Sequence, residues 1–254
     1  MQAVPILRYH DGAFREEQDR VIREEPLEIW GQGRCLGSLV RLPGQDAELI
    51  LGWCLSEGLI SCREDLLDMQ TSTEGELTRV DISLYRDLPD QGGGPEQIHN
   101  RTLAAESNGP ARVRTGQTVT LETLFQVREI LEAGQELFQA TGGTHCAALF
   151  AQGPRLMAMA EDVGRHNALD KVVGRTLGQE LEDSTVLVLS SRLNSEMVGK
   201  SVRAGIPLLA GVSAPTQRGV SLAEQAGMTL IGFLRPGRLN VYTHAWRLVR
   251  QGSP

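Results

Sequence analysis

Between positions 185 and 234 the chain alternates short apolar runs with stretches of helical length, and this alternation restricts the fold more than any other feature. Residues 185–189 form an almost unbroken apolar run, as in a strand covered on both faces. Residues 195–204 have helical length and stop at Gly205, and residues 206–212 form the next apolar run. Residues 217–226 repeat the helical pattern up to Gly227, and residues 228–234 close the series. Strands and helices alternating at these lengths predict an α/β fold with a largely parallel sheet and right-handed crossovers.

Upstream, residues 119–141 predict one long helix carrying Leu121, Leu124, Val127, Leu131 and Phe138, ended by Gly142 and Gly143. Two strands follow, 147–151 and 156–160, joined through Gln152, Gly153 and Pro154. A helix is expected over 167–177, with Asn167 at its N-cap and Asp170 three residues later. Nearer the N-terminus, residues 28–40 read as a hairpin turning at Gly31, Gln32 and Gly33, and residues 46–56 read as a helix. Residues 78–85 alternate, with Val80, Ile82 and Leu84 on one side and Arg79, Asp81 and Ser83 on the other, as a half-buried strand does. The stretch 86–118 holds Gly92, Gly93, Gly94, Pro95, Gly109 and Pro110, which punctuate a chain. The expected organisation is therefore a smaller N-terminal α+β domain over 1–88, a linker over 89–118 and an α/β domain over 119–254.

The 254 residues suffice for a sizeable core, and 41% of them are apolar, as in an ordinary globular protein. A net charge of -7 disfavours non-specific nucleic-acid binding, which leans on a basic excess, yet leaves room for a local basic pocket. The first eleven residues lack the apolar core of a signal peptide, and no run approaches the roughly 20 apolar residues of a membrane span, so the expectation is a soluble cytoplasmic protein. The cysteines are Cys35, Cys54, Cys62 and Cys146, and no two form a C-x-x-C pair. His10, His99, His145, His166 and His244 fall in no H-E-x-x-H spacing, so no metal site is expected. The H-x-E and P-C-x-x-C pattern of zinc deaminases and the phosphate-binding loop of P-loop ATPases are missing from the sequence.

In an open α/β sheet, ligands bind beyond the carboxyl ends of the strands. The first turn there carries Ser190, Ser191, Arg192 and Asn194; the second carries Ser213, Ala214, Pro215 and Thr216; the third carries Arg235, Pro236, Gly237 and Arg238. On one sheet edge, such hydroxyls and guanidinium groups suit an anionic ligand such as a nucleotide. Each turn taken alone also reads as ordinary loop composition. The run from Glu161 to Asn167 is denser, with Arg165 and His166 beside a helix start, where phosphate binds readily. Its bland alternative has Glu161 and Asp162 pairing with Arg165 to tie a loop, and His166 as a structural histidine. Cys146, next to His145, is either a thiolate nucleophile or a small core residue at the start of an apolar strand. Cys54 reads as core, and Cys35 and Cys62 have no partner in the pattern.

These motifs together resemble a known family. The N-terminal part carries Glu24-Glu25-Pro26-Leu27, Glu48-Leu49, Gly52 and Glu57-Gly58-Leu59-Ile60. The centre carries Thr141-Gly142-Gly143-Thr144-His145 and Glu161-Asp162-Val163-Gly164-Arg165-His166-Asn167-Ala168, followed by Asp170-Lys171. Ser195-Glu196-Met197-Val198 with Lys200, Ala204-Gly205-Ile206-Pro207, Ser213-Ala214-Pro215-Thr216 and Thr229-Leu230-Ile231-Gly232-Phe233 with Arg235 complete the set. The chain is similar over nearly its whole length to the formate dehydrogenase accessory sulfurtransferases, the FdhD/NarQ family. The resemblance implies a C-terminal cytidine-deaminase-like three-layer α/β/α domain without its zinc, and a homodimer. It implies binding of the bis-guanine-dinucleotide molybdenum cofactor, with GDP as a surrogate. Phe233, Leu234, Arg235, Pro236, Gly237 and Arg238 would contact it, joined by Arg165, His166, Asn167, Lys171, Ser213 and Thr216. It also implies sulfur relay from a cysteine desulfurase to that cofactor before insertion into apo-formate dehydrogenase. The family usually carries a C-G-x-C-G loop whose cysteine holds the persulfide. Here the corresponding stretch, Ser107-Asn108-Gly109-Pro110-Ala111-Arg112-Val113, contains no cysteine. Either Cys146 takes that role, or the chain is a cofactor-binding and insertion chaperone that no longer moves sulfur.

Overall fold

The computed structural model describes residues 1–86 and 118–249; the expected linker up to residue 117 and the Ser107 to Val113 stretch lie outside the described residues. The centre of the molecule is a six-stranded sheet in the order β13-β12-β11-β10-β8-β9. Its strands are β8 (His145–Ala151), β9 (Arg155–Asp162), β10 (Val186–Leu189), β11 (Leu208–Gly211), β12 (Thr229–Arg235) and β13 (Arg238–Thr243). The crossover helices α5 (Ser195–Arg203) and α6 (Gln217–Ala226) make β10, β11 and β12 parallel, as the alternating pattern predicts. The sheet as a whole is mixed rather than largely parallel. β8 runs antiparallel to both β10 and β9, and β13 folds back antiparallel on β12. Tight turns join β8 to β9 and β12 to β13, and such turns leave no length for a crossover.

Helices cover both faces of this sheet. On one face lies α2 (Leu121–Ala133), whose Leu124, Val127 and Leu131 pack on Cys146, Ala148, Phe150, Val188, Ala210 and Ile231. On the other lie α4 (Arg165–Thr176), α5 and α6, packed on Ala147, Leu149, Leu187, Leu189, Leu209 and Leu230. The alternation of Ala147 with Cys146 and Ala148 between the two clusters is the two-residue period of a strand buried on both sides. Short β7 (Val119–Thr120) and β14 (Leu248–Val249) pair beside α2.

The expected long helix is two helices. α2 ends at Gly134, and α3 (Glu136–Thr141) starts afresh. At Gly134 the chain crosses close over β9, and a side chain there would have to push the Met159 thioether aside. The Glu161 carboxylate then accepts from the amides of Leu137 and Phe138, both at 2.8 Å, and fixes the new helix start. Gly142, with φ 68°, ends α3 as expected.

The N-terminal part contributes a second sheet, β4-β3-β6-β5, built from β3 (Glu25–Gly31), β4 (Arg34–Arg41), β5 (Leu66–Glu74) and β6 (Leu77–Leu84). The hairpin turning at Gln32 and Gly33 and the helix α1 (Asp46–Ser56) fall where the sequence places them. β5 was not expected, nor was the separate ribbon of β1 (Gln2–His10) and β2 (Ala13–Val21). The N-terminal part has no core of its own. Leu27, Ile29, Ile50 and Cys54 belong to the same cluster as Leu169, Val172 and Leu187. The joint is a helix crossing at glycines: a Cβ on Gly52 of α1 would lie 1.9 Å from Asp170 O, and one on Gly174 of α4 would lie 1.9 Å from Glu48 O. Among the described residues no helix is long and apolar enough to cross a membrane.

Candidate functional site

Parallel β10, β11 and β12 point their carboxyl ends to one edge, and the turns there are stitched together. The amide of Val212 donates to Leu189 O at 3.1 Å, that of Thr216 to Leu193 O at 3.0 Å, and that of Phe233 to Ser213 O at 3.1 Å. The last bond holds Phe233 at φ 52°, in the left-handed region, where a bulge interrupts the pairing of β12 with β13. The bulge lifts Arg235 and Arg238, which are paired across the turn and exposed.

A cavity of about 460 Å³ opens at this edge, in the size range of small-molecule sites. Arg235, Val212 and Ser190 line it from the sheet; His145, Thr144, Gly143 and Gly142 from the approach to β8; Val163 from the approach to α4. Its remaining wall is the outer face of α2 and α3, with Arg128, Glu132, Gln135 and Phe138. Ser190 is fixed by exchange with β8: its Oγ accepts from Cys146 N at 2.8 Å, and its amide donates to Cys146 O at 3.0 Å. Burial and the neighbouring Arg165 guanidinium both depress the His145 pKa below its ordinary 6.5, so His145 is a neutral imidazole near pH 7. Arg165 stands in the first turn of α4, beside this cavity wall.

Several expected contact residues are instead taken up by the fold. Asn167 is not an N-cap. Gly164 holds that position, and the Asn167 amide donates to Val40 O at 2.8 Å and to Asp162 at 3.0 Å. Lys171 is 2% exposed; its Nζ pairs with Asp162 at 2.7 Å and donates to Leu42 O at 3.0 Å. Asp162 also accepts from the amides of Leu42 and Gly164, so it clamps the N-terminal sheet to the start of α4. The two acids of this run therefore hold the fold through partners other than Arg165. Glu161 fastens α3 and accepts from the Thr144 hydroxyl at 2.6 Å. His166 Nε2 meets Glu196 at 2.8 Å. Burial, with Lys200 behind it, keeps the His166 pKa below its ordinary value although Glu196 opposes them. Thr216 caps α6 by accepting from Gly219 N at 3.2 Å, and Leu234 is wholly buried among core residues. Pro236 and Gly237 form the exposed β12–β13 turn.

The four thiols share one property. Cys146 is 2% exposed within the α2-facing core, and burial, aided by Glu161, pushes its pKa up to about 12. Burial also raises Cys54 strongly, and burial with Glu28 nearby raises Cys35. Exposed Cys62 is raised chiefly by its hydrogen bond to Glu64. No thiol is therefore activated as a thiolate near neutral pH, and no cysteine lines the cavity. The segment outside the described residues contains no cysteine either. Among the described residues no group of three or more His, Cys, Asp or Glu side chains is placed to hold a metal ion.

Arg128, Glu132 and Gln135 are cavity residues that the sequence did not single out, whereas Val163 lies in the run that it did. Arg128 and Glu132 read as an ordinary solvated pair on a helix. The signal lay in the position of Glu132, an acid in the last turn of α2, where the helix macrodipole disfavours one.

Residues 22–249 match the model of the FdhD/NarQ family. The chain is 40% identical over 259 residues to a protein of Nocardia farcinica named sulfur carrier protein FdhD, with 96% of this chain and 93% of that one covered. A protein of the same name from Sulfurisphaera tokodaii is 35% identical, with 98% and 99% covered. Among solved structures, the chain is similar to one from Desulfotalea psychrophila described as a candidate formate dehydrogenase accessory protein. The TM-score is 0.83 at 26% identity, covering 98% of this chain and 99% of that one.

Proposed function

The chain belongs to the FdhD/NarQ family, and on that footing we propose that it holds the bis-guanine-dinucleotide molybdenum cofactor of a formate dehydrogenase as cargo, without a covalent bond to it. The observation that carries this reading is the cavity at the carboxyl ends of β10–β12. It offers Arg235, Ser190, His145 and the Gly142-Gly143 backbone as its sheet-side lining and has no thiol in its walls. Guanidinium and hydroxyl groups are donors that suit phosphate, whereas the Gly142 and Gly143 amides already donate to Phe138 O and Thr141 Oγ1. In this reading Arg235 and Arg238 bind a pyrophosphate, Arg165 and His145 add field and a hydrogen bond, and Phe233 offers an exposed ring beside the turn. The domain would be of the cytidine-deaminase-like class lacking its metal. The recipient would be apo-formate dehydrogenase in the cytoplasm, and the working form a homodimer.

Titration calorimetry with GDP tests the pocket, and saturable binding is expected. Arg235→Ala should weaken it about tenfold, the scale of one charge-assisted hydrogen bond at a partly solvated site. Unchanged affinity in both Arg235→Ala and Arg238→Ala would remove this edge from the proposal.

The relatives' name, sulfur carrier, favours a second reading, in which the chain relays sulfur from a cysteine desulfurase to the bound cofactor. Cys146 would then be the carrier and would have to leave its buried position. Intact mass after incubation with a desulfurase and cysteine distinguishes the two. The non-covalent reading expects no sulfur adduct on any cysteine peptide; a persulfide on the Cys146 peptide, lost in Cys146→Ala, would establish the relay.

A further inference from the structure

The N-terminal ribbon stands apart from the body of the molecule. β1 and β2 pair from Gln2↔Val21 to His10↔Ala13, and both precede residues 22–249, which match the family. The ribbon meets the body at its root, where Ile22 packs against Gly143. A two-stranded ribbon by itself is at best marginally stable in water, and it gains stability by packing a face on something.

Directly opposed residues of an antiparallel pair share a face. One face of the ribbon carries Val4, Ile6, Arg8, Glu17 and Asp19, and its own charges close it. Arg8 pairs with Glu17 at 2.7 Å and with Asp19 at 3.5 Å, and Val4 and Ile6 are half-buried. The other face carries four rows: Ala3 with Arg20, Pro5 with Gln18, Leu7 with Glu16, and Tyr9 with Phe14. All of these residues are exposed, Leu7 by 62%, Tyr9 by 63% and Phe14 by 66%. The Tyr9 and Phe14 rings stand 5.0 Å apart at one end. A hollow of about 610 Å³, lined by Pro5, Ile6, Leu7, Glu16, Glu17 and Gln18, opens at the middle rows.

This open face is complementary to itself. A two-fold axis across the strands at mid-ribbon lays Tyr9 on the partner's Ala3 and Phe14 on the partner's Arg20. It lays Leu7 on the partner's Pro5 and Glu16 on the partner's Gln18. Large side chains meet small ones, a ring meets a guanidinium group, and a carboxylate meets an amide. Glu16 and Arg20 are the charges of this face, and the axis brings no like charges together. The ribbon is also where two copies repel least. The chain carries a net charge of -7, whereas residues 1–21 hold Arg8, Arg15 and Arg20 against Asp11, Glu16, Glu17 and Asp19, a net -1. We propose that two copies of the chain pair through this face, ribbon on ribbon. The inference deepens the homodimer proposed above by naming its surface, and it holds whatever fills the cavity. The face measures about 31 Å by about 10 Å, small for a specific interface, so the dimer should dissociate on dilution through the micromolar range.

The test is sedimentation velocity of the full chain over a dilution series, for the wild type and for variants at exposed positions. The wild type is expected to pass from dimer to monomer on dilution. Phe14→Ala should weaken the dimer about tenfold, as truncation of an aromatic interface anchor does. Gln18→Glu sets a like charge against Glu16 twice per dimer and should weaken it about threefold; Gln18→Arg sets an opposite charge there and should tighten it about as much. Ser72→Arg, the same change of net charge on exposed β5, should leave the equilibrium unchanged. A dimer indifferent to all three ribbon substitutions overturns this face and leaves the homodimer standing. A chain that is monomeric at every concentration overturns both. If the ribbon amides of such a monomer gain hydrogen-exchange protection from apo-formate dehydrogenase, the face belongs to that client and the pairing is wrong.

Discussion

Gly52→Ala should destabilise the protein by about 3 kcal/mol or more, the upper end of what overpacking does in a close-packed interior. The added methyl would lie 1.9 Å from the carbonyl oxygen of Asp170, and that oxygen belongs to a helix backbone that cannot swing aside as a side chain can. To make room, α1 and α4 must separate along their length, opening the cluster in which Ile50, Cys54, Leu169 and Val172 meet. Urea denaturation followed by circular dichroism measures the loss. Gly153→Ala is the control. At φ 70° its side chain is strained by about 1–2 kcal/mol but meets nothing within 4 Å. Equal midpoints for Gly52→Ala and wild type would mean the two helices do not touch at their backbones in solution.

Asp162→Ala should remove about 3–5 kcal/mol, as expected when one member of a buried ion pair is deleted and the other is left uncompensated. The carboxylate is fully buried and serves Lys171, Asn167 and the amides of Leu42 and Gly164 at once. Lys171→Met leaves the carboxylate its other donors and should cost less. The double variant should fall short of the summed effects by about 1–3 kcal/mol, the coupling usual for partners in one network. Hydrogen exchange offers an independent check. The Leu42 amide donates to Asp162 across 120 residues of sequence and should lose protection in Asp162→Ala. Strictly additive single and double variants would mean that Asp162 and Lys171 do not interact.

Local punctuation made part of this architecture readable. α1 and α6 occur at the expected residues because glycines stop them and, in α6, Thr216 caps the start. The hairpin of β3 and β4 turns on Gln32 and Gly33, both at positive φ. The β1–β2 ribbon escaped because neither strand alternates: β1 is a nearly continuous apolar run broken by Pro5, and β2 is mostly charged or polar. It is exposed along most of its length, with Leu7, Tyr9 and Phe14 each more than 60% accessible. The break between α2 and α3 escaped because the apolar spacing continues from Leu131 to Phe138, while the Glu161 carboxylate that holds the new helix start is remote in sequence. The direction of β8 relative to β10 is a tertiary choice that leaves no mark on either strand. At the site, the three strand-end turns were legible as a convergent edge, whereas Asp162, Asn167 and Lys171 look the same in sequence whether they grip a ligand or another part of the chain. Arg128 and Glu132 were hidden for the opposite reason: on a helix surface, solvated charge is the ordinary state.

The glycine-to-carbonyl crossing of α1 and α4 bears on how anything large gets in. With backbone against backbone there, the two sheets form one stiff frame, and a hinge between the halves would have to tear that weld. The β8–β13 floor belongs to the same frame. The least anchored of the described walls is α3, which has no buried residue, while Glu161 grips two amides at its start and one nearby hydroxyl. Within this frame α3 is the wall held by hydrogen bonds to one carboxylate rather than by core packing.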